Sequence, residues 1–163
     1  MPLEKIVVSD TSPLIGLAHL GLLTIPKMLW GKLYIPNAVF AEVLRKSPGR
    51  EEVQRAVSDG WIIVKKVNDM ATVKILNEVF GPGESECFVL VRELKAHLLV
   101  MDEKRGRKAA KRFGFRLTGT VGILTTAVEK GLLQAEDMPA LLKKLKDCGF
   151  RLSNDLVRQF AGS

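Results

Sequence analysis

Histidine and cysteine are scarce in this chain, and their positions offer no chemistry. His19 and His97 lack a partner at ligand spacing, so a histidine metal site or a histidine general base has no constellation to rest on. Both read as ordinary packing or surface residues. Cys87 and Cys148 also lack metal-ligand spacing. A reduced pair in or near the core is expected rather than a disulfide. No apolar run approaches the roughly 20 residues of a membrane span. The N-terminus has no basic region leading into a long apolar segment, so a cytoplasmic protein with no membrane association is the expectation. No repeat, low-complexity tract or linker interrupts the 163 residues, which read as one domain with a sizeable core.

What is present is short apolar strands, small helices and positive charge. The formal net charge of +7 favours polyanionic partners, nucleic acid first. Strand-like runs at residues 6–9, 32–35, 61–65, 98–101 and 115–118 alternate with helical patterns. The helical patterns cover 13–20, 22–29, 37–46, 51–58, 69–80, 84–94, 104–113, 120–130, 137–146 and 154–160. A turn is expected at Ser47-Pro48-Gly49. This alternation predicts an α/β fold: a mostly parallel central sheet of four to five strands with helices on both faces.

Carboxylates recur at suggestive points. Asp10 ends the first apolar run, in "VVSDTSPLIG". Ser12 as cap and Pro13 at the first helical position can start the next helix, which leaves Asp10 free at a strand's carboxyl end. Asp102 follows "HLLVM" and is either a cap for the helix beginning near Lys104 or a metal ligand. If both strands are central and parallel, the two aspartates approach each other and their repulsion calls for a cation. In "GPGESEC", Glu84 shares a helical stripe with Cys87, Phe88 and Val91, whereas Glu86 points nearly opposite. Glu84 is the first choice for an inward carboxylate and Glu86 the fallback. Glu42, read locally, is an exposed partner for Arg45 or Lys46; it matters as a fourth acid. Oxygen-only ligands suit Mg2+ or Mn2+, ions that support phosphodiester hydrolysis without histidine.

The segment "DEKRGRKAAKRFGFR" begins at Asp102 and would set Lys104, Arg105, Arg107, Lys108, Lys111 and Arg112 beside such a site as a phosphate-backbone surface. No aromatic interleaving suggests base stacking. Gly114 and Gly119 have the spacing of phosphate-loop glycines, but Thr120 stands where lysine is required, which excludes nucleoside-triphosphatase chemistry. Thr120 reads as the cap of the following helix.

Nearly the whole chain resembles the PIN-domain nucleases, specifically a VapC-like prokaryotic subfamily. The segments that carry the resemblance are "VVSDTSPLIGLAHLG", "YIPNAVFAEV", "GPGESEC", "LVMDEKRGRKAA", "GTVGIL" and "CGFRLSNDLV", in the expected order. The resemblance implies a parallel sheet flanked by helices and an acid cluster binding Mg2+ or Mn2+. By position, those acids are Asp10, Glu42, Glu84 and Asp102. It further implies cleavage of single-stranded RNA, often as the toxin paired with a small antitoxin protein, and a homodimer. Two departures stand out: many relatives carry aspartate at the third acid, and a hydroxyl residue near the fourth where this chain has Val100 and Met101. A PIN-like module that binds RNA or protein without cutting is the second reading. A phosphatase using Asp10 as nucleophile is the third, weakened because Ser12 stands where that pattern wants a second aspartate.

Overall fold

The computed structural model of the protein describes residues 5–46 and 49–152. The elements run β1 (Val7–Ser9), α1 (Thr11–His19), α2 (Ile25–Trp30), β2 (Leu33–Pro36), α3 (Asn37–Leu44), α4 (Arg50–Ser58) and β3 (Ile62–Lys65). They continue with α5 (Met70–Leu76), α6 (Pro82–Leu94), β4 (Leu98–Val100), α7 (Lys104–Arg112), β5 (Leu117–Thr118) and α8 (Thr120–Glu129). A 3-10 turn (Ala135–Asp137) leads into α9 (Met138–Asp147). The five strands form one sheet in the order β3-β2-β1-β4-β5, every pair parallel. No helix among the described residues is long and apolar enough to cross a membrane.

The unbroken apolar runs become the central strands because a parallel sheet covered by helices buries both strand faces. Val7, Val8, Leu99 and Val100 are fully buried. At one edge β3 ends on the exposed Lys65, a charge that discourages further pairing. The longest helix, α6, packs against β1, β2 and β4, and its Cys87, Phe88, Leu90 and Val91 join the core.

The strand order creates the crevice. The chain lays β2 and then β3 on one side of β1, and returns to place β4 and β5 on the other. The connections therefore reverse between β1 and β4, and the carboxyl ends of those strands flank a topological switch point, where open α/β sheets bind ligands. Ser9 lies in register with Val100, and the Asp10 amide donates to the Val100 carbonyl at 2.9 Å. Asp10, one residue beyond Ser9, and Asp102, two residues beyond Val100, both emerge at that crevice.

Several boundaries differ from the sequence pattern. Helix α1 starts at Thr11, so Asp10, not Ser12, holds the cap position and Pro13 is the third helical residue. Proline is tolerated there because amides of the first turn have no helical acceptor anyway. Gly119 holds the cap position of α8, with Thr120 its first residue, and Pro36 that of α3. Helix α5 stops at Leu76 rather than running to residue 80, and it is capped by Asp69, whose Oδ1 accepts the Thr72 amide at 3.1 Å. Of the expected turn, Gly49 adopts a left-handed φ of 121°; Ser47, Pro48 and the expected helix at 154–160 lie outside the described residues. Only Cys87 is in the core. Cys148, just past the end of α9, is exposed.

Candidate active site

Asp10 is the most buried of the acids, with 7% of its surface exposed. It occupies the cap position of α1, yet its side chain makes no capping hydrogen bond. Burial raises its pKa from 3.8 to about 7; the Thr11 backbone N–H opposes this, and the charges of Glu84, Glu42 and Asp102 add to it. A buried carboxylate with a raised pKa in a crevice makes Asp10 a candidate functional group.

Glu42 and Asp10 meet at Gly83, the residue before Glu84. A Cβ at Gly83 would lie 2.8 Å from Glu42 Oε1 and 3.4 Å from Asp10 Oδ1. The absent side chain is what lets α3, β1 and the start of α6 bring their acids together. Glu84 is the third residue of α6, and its Oε1 accepts the Gly81 amide at 3.4 Å. Its Oε2 is buried and has no hydrogen-bond partner among the described residues. Burial raises the Glu84 pKa, the neighbouring Glu103 adds to it, the Gly81 amide lowers it, and Glu42 raises it again. Gly106 of α7 closes over the same oxygen: a Cβ there would sit 2.7 Å from Glu84 Oε2. Glu86 is turned elsewhere. Its Oε1 accepts the Ala38 amide at 3.0 Å and so caps α3.

Asp102 caps a helix, but not the one that follows it. Its Oδ1 accepts the Thr120 amide and its Oδ2 the Thr120 hydroxyl, both at 2.7 Å, so it serves the start of α8; α7 has Glu103 at its cap position. Burial raises the Asp102 pKa, while the two Thr120 hydrogen bonds and the Arg107 charge lower it. Asp10, Glu42 and Glu84 therefore share one environment, while Asp102 faces Thr120. Among the described residues no three acids converge closely enough to hold an ion as they stand. The donor chemistry nonetheless fits a hard cation: every candidate ligand is a carboxylate oxygen, one is buried without a partner, and the acids repel one another.

Most of the basic helix faces solvent. Gly106 and Ala110 turn inward, while Lys104, Arg105, Lys108, Lys111 and Arg112 are exposed. Arg107, of the same expected set, is half-buried. Its Nη1 donates to the Met101 carbonyl at 2.8 Å, which ties α7 to the end of β4. A groove of about 1140 Å³ is lined by Ser12, Asp102, Glu103, Lys104, Arg105 and Lys108, among others, so cations and acids share one concavity. Sequence reasoning missed Glu103 beside Glu84, the reach of Asp102 to Thr120, and the glycines at 83, 106 and 119 that admit the carboxylates. Gly83 and Glu103 at least adjoin an acid in sequence.

The fold is thus a parallel α/β domain with acids at its switch point and a cationic helix leading away. The family model for the PIN domain matches residues 6–162, and the chain belongs to that family. PIN domains are in general nucleases and in general use divalent metals. No curated protein matches the chain.

Proposed function

We propose that the protein is a Mg2+- or Mn2+-dependent endoribonuclease acting on single-stranded RNA, as the toxin of a toxin–antitoxin pair. The observation that carries the nuclease reading is the meeting of Asp10 and Glu42 at Gly83, beside Glu84 and the cationic groove. Asp10, Glu42 and Glu84 would hold the ion, with Asp102 the fourth acid. A bound divalent cation supplies Lewis acidity toward water and phosphate. The chain supplies the rest. Lys104, Arg105 and Lys108 bind the phosphate backbone along the groove that contains Asp102. Burial holds the Asp10 pKa at about 7, and positive charge in the crevice would lower it. Thr120 and Arg107 fix Asp102 and the end of β4. Asp10→Asn should abolish Mn2+-dependent cleavage of single-stranded RNA while the far-ultraviolet circular dichroism stays unchanged; undiminished cleavage would overturn the assignment.

A second reading is favoured by the engagement of both Asp102 oxygens with Thr120. On this reading the domain binds RNA or protein without cutting. Calorimetric titration with Mn2+ separates the two, since a crevice that takes up no ion supports the binder. The toxin assignment, the antitoxin and the homodimer rest on the family resemblance. A small antitoxin-like reading frame beside this one, and the mass of the protein in solution, test the toxin role and the homodimer.

A further inference from the structure

Four phenylalanines beside α7 form a chain of rings whose third member is open to solvent. Phe80 meets Phe88 edge-on at 5.1 Å, Phe88 meets Phe113 at 5.5 Å, and Phe113 meets Phe115 at 5.7 Å. Phe88 is buried, but Phe113 leaves 49% of its surface exposed. An exposed ring of this kind gains significance only where it lines a concavity. Phe80 and Phe113 line a groove of about 350 Å³ with Arg105, Lys108, Ala109 and Arg112. Every charged group in that lining is a cation, and the Arg105 guanidinium stands 5.9 Å from the Phe80 centroid.

We propose that Phe113 and Phe80, ringed by Arg105, Lys108 and Arg112, form a stacking subsite for an unpaired nucleobase of the substrate strand. Flat apolar faces set among cations match a base attached to a phosphate backbone, since stacking takes the base and the cations take the phosphates. The subsite also lies on the path to the acids. Arg105 and Lys108 line both this groove and the larger one that holds Asp102 and Glu103. Phe80 directly precedes Gly81, whose amide binds Glu84. A strand passing from one groove to the other stays beside the same two cations. Base faces are accessible only when unpaired, so the subsite selects single strands. The sequence pattern concealed it because Phe80 and Phe113 lie far apart in the chain and converge only in the fold.

The subsite rests on the nucleic-acid part of the proposed function and not on cleavage, so binding is measured by fluorescence anisotropy in EDTA. The probes are a short labelled single-stranded RNA and an abasic ribose-phosphate strand of equal length. Phe113→Leu should weaken binding of the intact strand by about tenfold and leave the abasic strand unaffected. Phe113→Trp preserves an aromatic ring against Phe88 and Phe115; it should bind the intact strand normally, and the emission that the new indole adds to that of Trp30 and Trp61 should be quenched by that strand and not by the abasic one. Equal binding of the intact strand by Phe113→Leu and the parent, or an equal loss on both strands, overturns the subsite. So does unquenched indole emission in the Phe113→Trp complex. A parent protein that binds both strands equally overturns the subsite and leaves the nuclease reading standing. One that binds neither overturns both.

Discussion

Asp10 pays for its position with a proton. Its pKa in the fold is about 7, against about 3.9 for an aspartate in an unfolded chain. The native state therefore holds this proton more tightly than the unfolded state does. That contribution to stability is fully present below about pH 4 and is lost as pH rises through about 7. With no divalent cation bound, thermal stability should fall between about pH 5 and pH 8. Asp10→Asn should flatten that decline and raise Tm at about pH 8 by a few degrees, on the order of 1 kcal/mol or more. Differential scanning calorimetry across that range checks both. Gly83 makes a second test. Gly83→Ala puts a methyl 2.8 Å from Glu42 Oε1, and overpacking of this kind costs about 1–3 kcal/mol. It should weaken Mn2+ uptake measured by calorimetry more than it lowers Tm. The place of Asp10 at a strand's carboxyl end was legible from the sequence, but its hold on the cap position was not, because α1 starts at Thr11, earlier than Ser12 and Pro13 suggest. The role of Thr120 was not, because the hydroxyl that holds Asp102 lies 18 residues away and closes only when β4 and β5 pair.

Helix α7 carries two duties on opposite sides, and its sequence shows only one. The run of cations was visible at once, but nothing local marks Arg107 as the residue that leaves the run to bind the Met101 carbonyl. The inward positions of Gly106 and Ala110 decide the division, since they set which cations face water. Neutralising Lys104 and Lys108 together, as Lys104→Gln with Lys108→Gln, should weaken binding of single-stranded RNA. The salt dependence should flatten by about 0.7 in log–log slope for each phosphate that the helix no longer neutralises. Binding isotherms at several salt concentrations check this, and an unchanged slope would remove α7 from the interface. Among the other elements, the existence and type of nearly every helix and strand within the described residues could be read from apolar patterning. Their ends could not always be read: Pro13 fits several positions of a first turn, and the choice fell to Asp10, fixed by its backbone bond to Val100.

At the scale of the whole molecule, a parallel sheet could be inferred, but the order of its strands could not. Which strands neighbour one another depends on the return of the chain across β1 between β3 and β4, and that return makes the crevice. Repulsion among the acids is a standing cost of the crevice, and an ion that binds only the folded state should offset it. Saturating Mn2+ should therefore raise Tm, by an amount corresponding to about 2.7 kcal/mol at a hundredfold excess over Kd, and Asp10→Asn should lose most of that gain. The molecule also carries its own clock for this coupling. Cys148 is open to solvent, while Cys87 is sealed, its thiol donating at 3.5 Å to the carbonyl of Ser9, the residue before Asp10. Burial, reinforced by the charges of Asp10, Glu42, Glu84 and Glu86, pushes its pKa well up, so it reacts only when the core parts. A thiol reagent should thus label the chain in two phases. The fast phase ignores the acids, and the slow one times how often the floor of the crevice opens and how far a cation holds it shut.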